Sequence, residues 1–276
     1  MQTLFTSPAP RLALSVAGRG PLVLFVHGMG GDRSSWHGQI DALADRFNAV
    51  AVDLRGYGDS EAAPAPLDFQ RHFAADLLAV MDHFRVPAAH LVGLSMGGRV
   101  ARCTALLHPE RVASLTLANS SPGFDALGPA EVDAFVAARA FEPVGDAMPA
   151  GYGLAQARAM TAPGTPEAVL RAAGAPMDRL SAAHYLRVLR ASTEQDQGTR
   201  LEDIRCPVHL IHSDQDRVYP AAVAQRMRER LPNARVSLIE GAGHLSNLER
   251  PEAFNRALCG FLLTQAEAPH ARHGGD

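Results

Sequence analysis

The sequence predicts an α/β fold with a mostly parallel sheet that is flanked by helices. Short runs that are apolar on both faces alternate with longer helical patterns, as in PLVLFVHG followed by SSWHGQIDALADRF. Strands without a polar face, separated by helices, are typical of a parallel sheet that is covered on both sides. The alternation stops after VASLTLANSSPG and resumes at CPVHLIHS. Both halves therefore belong to one core, which a helical segment interrupts.

The order of the elements gives the predicted domain organisation. The opening run LALSVAG predicts an antiparallel edge strand that leads into the first parallel strand. The core is predicted over residues 1–122 and 201–265, and residues 123–200 contain helical patterns without a convincing strand. The polar end of the chain, APHARHGGD, predicts a mobile tail over residues 266–276.

Two helix starts are predicted inside the helical segment. Thr165 precedes Pro166 and Glu167, and Ser181 precedes another apolar-periodic run. A hydroxyl side chain is a good helix cap, and proline is tolerated in the first helical turn. We therefore expect Thr165 and Ser181 to cap two helices.

Composition argues against several classes of partner. The 276 residues include 26 basic and 29 acidic side chains, for a formal net charge of -3. This balance gives no electrostatic reason to expect nucleic acid or an anionic membrane as partner, so a small molecule is expected. No stretch predicts a signal peptide or a membrane span.

The cysteines favour a reducing compartment. Cys103, Cys206 and Cys259 are an odd, scattered set without a CxxC pair. Such a set indicates neither a disulfide framework nor a thiolate metal site. A cytoplasmic location is the expectation.

A nucleophile is predicted at Ser95. Gly93-Leu94-Ser95-Met96-Gly97 matches the pattern G-x-S-x-G, with a strand before it and a helical run after it. A serine on a sharp turn between strand and helix is held with its hydroxyl exposed, above the unpaired N–H groups of the helix start. The alternative is an ordinary glycine-rich helix start with Ser95 as cap. The flanking strand and helix favour the catalytic interpretation.

Serine is a weak nucleophile and needs a base, for which His244 is the candidate. It follows the strand-like run VSLIE in a glycine-containing loop, at the sheet edge where ligands bind. Most other histidines are expected to be structural or at the surface. His209 and His212 do not predict a shared metal ion, because residues three apart in a strand point to opposite faces.

Oxyanion donors are predicted at two backbone amides. Val26-His27-Gly28-Met29-Gly30 ends a strand and begins a glycine-rich loop, which could present the N–H of Met29 beside that of Met96. The alternatives are a plain glycine turn and a phosphate cradle. Neither G-x-G-x-x-G nor G-x-x-x-x-G-K-[ST] is present, so no nucleotide cofactor is implied.

With these motifs the chain resembles the α/β-hydrolase superfamily over all but the tail, with the helical segment matching only in kind. The resemblance is carried by HGMGG, DLRGYGDS, VGLSMGG, HPERVASLTLAN and GAGHLSNLERPEAF. It implies an eight-stranded, mostly parallel sheet with a helical cap inserted after strand 6. It is nearest to 3-oxoadipate enol-lactonases and small carboxylesterases, many of whose relatives are monomers or dimers.

The resemblance also implies a triad of Ser95, an aspartate in HSDQD and His244, with Met29 and Met96 as oxyanion donors and no metal or cofactor. From the residues alone Asp214 and Asp216 stay equivalent. The superfamily's loop reads approximately G-x-x-D-x-x-x-P, and its register selects Asp216 as the acid, with Asp214 as a turn residue. Ser213 stands where that pattern has glycine.

The resemblance implies a structural role for the loop of DLRGYGDS as well. Asp53 lies at a strand end and could be mistaken for the triad acid. In relatives this region shapes a loop, so Asp53, Arg55 and Asp59 are expected to be structural.

The predicted function is hydrolysis of an ester or lactone of a small organic substrate through an acyl-enzyme intermediate. Alternatives are hydrolysis of carbon–carbon bonds in ring-cleavage products, cofactor-free perhydrolase or haloperoxidase activity, and a catalytically silent ligand-binding protein. Leu245 follows His244 where carbon–carbon hydrolases usually carry an aromatic residue. Dehalogenases and epoxide hydrolases use an aspartate where this chain has Ser95.

Six arginines in the predicted cap could pair with a substrate carboxylate, and the sequence does not select among them. They are Arg139, Arg158, Arg171, Arg179, Arg187 and Arg190.

Overall fold

Eight strands form one sheet in a computed structural model that describes residues 1–124, 128–194 and 200–266. The strands are β1 (Gln2–Phe5), β2 (Ala13–Ala17), β3 (Leu22–Val26), β4 (Asn48–Val52), β5 (Ala89–Leu94), β6 (Val112–Ala118), β7 (Val208–Ser213) and β8 (Arg235–Ile239). Their order across the sheet is β1-β2-β4-β3-β5-β6-β7-β8. The pairs from β4 to β8 are parallel. The predicted fold class is confirmed.

The N-terminal edge of the sheet differs from the prediction. Strand β2 is antiparallel to β4, as expected for LALSVAG, but it is not the edge, because β1 pairs with its other side. The side chains of β1 are exposed or half-buried. A strand with neither a buried face nor an apolar run carries little sequence signal, so β1 was not predicted.

The central strands are buried on both faces, and their side chains alternate between two cores. Leu24 and Val26 of β3 pack into a cluster with Phe73 and Leu77. Phe25, from the same strand, packs on the opposite face in a second cluster that contains Trp36 and Phe254. Burial of each such side chain contributes about 1.5–3 kcal/mol.

Ten α-helices accompany the sheet within the described residues. They are α1 (His37–Leu43), α2 (Phe69–His83), α3 (Met96–Leu107), α4 (Pro129–Ala137), α5 (Tyr152–Met160), α6 (Glu167–Asp178), α7 (Ala182–Glu194), α8 (Ala221–Arg230), α9 (Ser246–Glu249) and α10 (Pro251–Ala266). Helices α2 and α3 supply residues to the first cluster, and α1 and α10 supply residues to the second. None of the described helices is long and apolar enough to cross a membrane.

Helices α4 to α7 follow one another between β6 and β7, and we call residues 123–200 the helical insertion. The Ser181 hydroxyl accepts a hydrogen bond from the His184 amide, as expected for the cap of α7. The expectation for Thr165 is wrong. Helix α6 begins after Pro166, and the Thr165 hydroxyl donates instead to the carbonyl of Ala162.

An ion pair fastens the helical insertion to the core. Arg179, which follows α6, lies 2.9 Å from the carboxylate of Asp32 in the loop after β3. At the other end of the chain, Ala266 ends α10, and the remainder of the predicted tail lies outside the described residues.

Candidate active site

Ser95 lies between β5 and α3 with a backbone that few residues adopt. Its φ is 54° and its ψ is -117°. Its N–H donates to the carbonyl of Ala118 at 2.9 Å, and its own carbonyl accepts from the amide of Gly98 at 3.0 Å and from the hydroxyl of Ser120 at 2.8 Å. Such strain costs about 1–3 kcal/mol and persists only where neighbours enforce it. These three hydrogen bonds enforce it at Ser95.

The glycines of the G-x-S-x-G pattern allow the turn to pack closely. A Cβ at Gly97 would overlap the carbonyl oxygen of Val26, and one at Gly93 would overlap the carbonyl of Gly97. Strand β3, the turn and the start of α3 therefore approach more closely than side chains would allow. This accounts physically for the small residues on both sides of Ser95.

His244 lies in the loop after β8, where it faces an aspartate. Its backbone N–H donates to the carbonyl of Met160 in the helical insertion at 2.8 Å. Its Nδ1 lies 2.9 Å from Oδ2 and 3.1 Å from Oδ1 of Asp216, and both side chains are almost completely buried. A hydrogen on Nδ1 leaves Nε2 as the proton acceptor of the ring.

The Asp216 carboxylate accepts hydrogen bonds from several directions. Oδ1 accepts from the amides of Val218 at 2.8 Å and Tyr219 at 3.0 Å, and Oδ2 accepts from the Asn119 side chain at 3.0 Å. Burial raises the pKa of Asp216, but His244, the Tyr219 amide and Asn119 outweigh burial and hold it below its ordinary value. The carboxylate is therefore held in its ionised form.

The two aspartates of HSDQD have different surroundings. Asp214 is exposed, and its Oδ1 accepts from the amide of Gly241 at 2.8 Å. It thereby connects the loops after β7 and β8, whereas the ring of His244 faces Asp216. Ser213, where the family pattern has glycine, ends β7 and accepts a hydrogen bond from Asn119 at 2.8 Å. Its backbone is not in the left-handed region, so serine fits there.

Asn119 is a buried site residue that the sequence reasoning missed. It follows β6 with a φ of 42°, and its side chain spans Ser213, Asp216 and the Ser246 hydroxyl, which donates to Asn119 Oδ1 at 2.6 Å. The signal in the sequence was the polar run Asn119-Ser120-Ser121 directly after a buried strand. Parallel strands end at the same edge of a sheet, so this run lies beside the end of β7.

Met29 and Met96 line the same cavity as Ser95 and His244. Met96 is the first residue of α3, so its N–H has no acceptor within the helix. Met29 lies in the loop after β3. His27 supports this loop, because its Nδ1 forms a hydrogen bond with the Gly28 carbonyl and its Nε2 accepts one from the Leu54 amide. Burial lowers the pKa of His27.

The loop of DLRGYGDS is held in place by charged partners from other segments, Arg33 and Asp76. Asp53 is completely buried and accepts from the amides of Arg33 at 2.7 Å and Asp59 at 2.9 Å, and it also pairs with the Arg33 guanidinium. Arg55 pairs with the buried Asp76. These contacts describe a folded loop, and none of them reaches Ser95.

Glu249 joins the His244 loop to the helical insertion. Its Oε2 accepts from the amides of Ala162 at 2.7 Å and Gly243 at 3.0 Å, and from the Thr165 hydroxyl at 3.1 Å. Its Oε1 accepts from the Leu245 amide at 3.0 Å. The buried carboxylate thus bonds to both neighbours of His244, a role that sequence reasoning did not assign.

The cavity around Ser95 has mainly apolar walls from both the core and the helical insertion. Its polar lining includes two arginines, Arg99 from α3 and Arg139 from the helical insertion. The remaining wall residues are largely methionine, leucine and aromatic side chains, namely Met29, Leu94, Met96, Phe135, Met160, Met177, Tyr185, Tyr219 and Leu245. Such a lining suits a small organic molecule.

Among the described residues, no three His, Cys, Asp or Glu side chains come together as a metal site would require. His209 shares a hydrogen bond with the Ser237 hydroxyl at 2.9 Å. Burial, the largest influence, lowers the pKa of His209 to about 3 and that of His212 to about 4. The three cysteines are unbridged.

Comparisons with known proteins show what the whole chain is similar to. A family model described as alpha/beta hydrolase fold matches residues 21–251. The "Putative carbamate hydrolase RutD" of Caulobacter vibrioides is 33% identical over 90% of this chain and 91% of its own length. The 3-oxoadipate enol-lactonase 2 of Acinetobacter baylyi is 29% identical over 92% of this chain and 94% of its own.

A third relative is longer than this chain. The dihydrolipoyllysine-residue acetyltransferase component of the acetoin cleaving system of Cupriavidus necator is 32% identical over 87% of this chain, which spans 63% of that protein. Among solved structures, a thermophilic esterase from Thermogutta terrifontis with malate bound superimposes with a TM-score of 0.83 at 25% identity. That match covers 96% of this chain and 99% of the esterase.

Proposed function

The chain belongs to the α/β-hydrolase fold family, and from that membership we propose that it cleaves an ester or lactone of a small organic substrate through an acyl-enzyme intermediate. The observation that carries the proposal is the arrangement around one cavity. Ser95 is half-buried at a strained turn that lines the cavity, and His244 in the same cavity is bonded to the buried Asp216.

The proposed mechanism uses Ser95, His244 and Asp216 as nucleophile, base and orienting acid. Nδ1 of His244 carries the hydrogen that Asp216 accepts, so Nε2 takes the proton of Ser95 as its oxygen attacks the carbonyl. Asp216 stabilises the resulting imidazolium. His244 then protonates the leaving oxygen, and afterwards it activates the water that releases the acyl group.

In this proposal the backbone amides of Met29 and Met96 stabilise the oxyanion. The Met96 amide supports that role because it is an unpaired N–H at a helix start. Loss of one such donor typically costs about 3 kcal/mol of transition-state stabilisation. The reaction uses amino-acid groups alone and needs no metal or organic cofactor.

We also propose that the helical insertion is a cap over this cavity. Phe135, Arg139, Met160, Met177 and Tyr185 of the helical insertion line the cavity together with residues of the core. The cap would exclude water and select the substrate. The expected partner is a small ester or lactone, and the protein would act in the cytoplasm as a monomer or homodimer.

The test is a panel of p-nitrophenyl esters, simple lactones and a dienelactone or enol-lactone, assayed with the wild type and with Ser95→Ala. We expect Ser95→Ala to lose at least about 10³-fold in kcat. Ser35→Ala, which changes a serine outside the cavity, is the matched control and keeps turnover. Ester turnover that survived Ser95→Ala would refute the serine mechanism.

A fluorophosphonate probe separates an enzyme from a silent binding protein. We expect the probe to label Ser95 in the folded wild type and to leave Ser95→Ala unlabelled. A folded wild type without any labelling would favour the ligand-binding alternative.

A further inference from the structure

Arg139 lies in the wall of the cavity that contains Ser95 and His244. We propose that Arg139 binds a carboxylate of the substrate, so that the preferred substrates are anionic esters or lactones in which an apolar spacer separates a carboxylate from the reacting carbonyl. This inference rests on the proposed hydrolysis at Ser95 and names the class of its substrate.

The guanidinium of Arg139 is held in position before any ligand arrives. Its Nη1 donates to the carbonyl of Phe135 at 3.0 Å, and its Cζ lies 3.8 Å from the centre of the Phe135 ring. The carbonyl of Arg139 accepts a hydrogen bond from the Tyr152 hydroxyl. A side chain that is already ordered loses less conformational freedom when it binds an anion.

Arg139 has no carboxylate partner among the described residues, unlike neighbouring arginines of the helical insertion. Arg158 and Arg171 both pair with Glu167, at 2.6 Å and 3.0 Å, and Arg179 pairs with Asp32 at 2.9 Å. The remaining two of the six arginines, at 187 and 190, line a separate cleft. The positive charge of Arg139 in the wall of the Ser95 cavity is therefore available to a ligand.

The surface next to the cavity carries further positive charge. A second cleft shares Phe135, Arg139, Val218 and Tyr219 with the cavity, and it adds the exposed side chains of two further arginines, at positions 217 and 226. Among the described residues that line this second cleft, the acidic one is Glu131, whose carboxylate accepts a hydrogen bond from the Gly128 amide at the start of α4. Clefts lined mainly by one sign of charge concentrate ligands of the opposite sign.

The apolar wall of the cavity explains why an apolar spacer is expected between the carboxylate and the reacting carbonyl of the substrate. Met29, Met96, Met177 and Leu245 line the cavity that Arg139 shares with Ser95, so methylene groups would contact hydrocarbon between the two polar ends. Arg99 lines the cavity too, but it is completely buried, with its guanidinium packed against two aromatic rings and donating to the Ser192 carbonyl, whereas Arg139 is only half-buried. We therefore assign carboxylate recognition to Arg139.

The first experiment compares monoethyl adipate with ethyl hexanoate, which differ in a terminal carboxylate against a terminal methyl group. We expect the wild type to prefer monoethyl adipate in kcat/KM. In Arg139→Gln, the loss on monoethyl adipate should exceed the loss on ethyl hexanoate by about tenfold or more, mainly through KM, because a charge-assisted hydrogen bond is removed. Arg139→Lys should recover part of the preference.

The matched control is Arg158→Gln, which removes an arginine of the same helical insertion outside the cavity and should leave the preference unchanged. A second pair, 4-acetoxybenzoate and 4-methylphenyl acetate, carries the carboxylate on the leaving group instead of the acyl group. A preference in either pair that disappears in Arg139→Gln supports the proposal and identifies the side that Arg139 binds.

Two outcomes would overturn the inference while the proposed hydrolysis stands: Ser95-dependent turnover without a carboxylate preference in either pair, or a preference that Arg139→Gln retains. If no ester is turned over, the proposed function fails instead. Calorimetric titration with adipate then decides the carboxylate site. Binding by the wild type that is lost in folded Arg139→Gln supports it, and absent or equal binding refutes it.

Discussion

The amide nitrogen of Ala162 lies 2.7 Å from the carboxylate of Glu249, so the helical insertion and the His244 loop share a buried hydrogen bond. The same carboxylate accepts from the amides of Gly243 and Leu245, on either side of His244. The position of the histidine ring therefore depends on a side chain that does not line the cavity. Any change at Glu249 should affect both folding and turnover.

We expect Glu249→Gln to destabilise the protein by about 1–3 kcal/mol, because one end of the amide would face buried N–H groups as a second donor. Turnover should fall with it, since either the Gly243 amide or the Leu245 amide would lose its acceptor. Glu252→Gln makes the same change at an exposed position of α10 and should be nearly neutral. Urea unfolding and ester kinetics measure both effects. Equal stability of the two variants would show that Glu249 does not hold this loop.

Replacement of the two neighbouring aspartates should have unequal effects. In Asp216→Asn, an NH2 group in place of Oδ2 would face two donors, Nδ1 of His244 and the Asn119 amide. It would favour the wrong tautomer of His244, and kcat should fall by about 10⁴-fold. Asp214→Asn keeps an oxygen for the Gly241 amide and should change kcat only slightly. Steady-state kinetics on one ester suffices. The opposite ranking would assign the acid to Asp214.

The strained backbone of Ser95 predicts a difference between two inactive variants. Ser95→Ala retains a side chain at a φ of 54°, whereas glycine adopts that conformation readily. We expect Ser95→Gly to be more stable than Ser95→Ala by about 1 kcal/mol, after allowing for the greater freedom of glycine in the unfolded chain. Thermal unfolding measures the difference.

A control for the Ser95 comparison is available at Ser34, which lies in a short 3₁₀ helix and is exposed. There Ser34→Gly should be less stable than Ser34→Ala, because glycine gains nothing from a backbone that is already relaxed. The same order at both positions would argue that Ser95 stores no strain.

His184 should make stability depend on pH. Burial, followed by the charges of Arg187 and His27, lowers the pKa of His184 to about 4 from an ordinary value near 6.5. The folded state thus holds a neutral ring between these values while the unfolded chain binds a proton. The contribution of His184 is complete above pH 6.5 and is lost as the pH falls from 6.5 towards 4.

The corresponding experiment is urea unfolding at pH 7.5 and pH 4.5. The wild type should lose about 2–3 kcal/mol more stability over this range than His184→Gln, because pH 4.5 lies about two units below the unfolded pKa of His184 and still above its folded pKa of about 4. His83→Gln, at a half-buried position, serves as the control and should keep the wild-type dependence. A wild-type slope in His184→Gln would assign the acid sensitivity to other groups.

Much of the fold was readable from the sequence because the signal is local. Strands such as β3 are buried on both faces, so their apolar runs stand out from the helical patterns between them. Strand β1 was missed because its exposed side chains carry no such pattern. The cap predicted at Thr165 failed because its hydroxyl bonds instead to the carbonyl of Ala162, three residues earlier, and to Glu249, which folding brings near.

The same distinction between local signals and long-range contacts applies to the candidate site. Motifs at strand ends predict Ser95 and His244, and the resemblance to the family's loop pattern selects Asp216, which lies against His244. The parts played by Asn119 and Glu249 depend on side chains that bridge segments far apart in the sequence. Local spacing carries no information about such bridges.

The helical insertion leaves the core after β6 and returns before β7 as one uninterrupted stretch of chain. In evolution such a stretch could be exchanged as a unit. Recombination with a relative would replace Phe135, Arg139 and Met177 of the cavity wall and leave Ser95 and His244 unchanged. The exchange is constrained at its joints. A replacement insertion would need an amide that donates to Glu249 and a cation that pairs with Asp32, as Ala162 and Arg179 do. Only insertions with both groups could give this core a new substrate range.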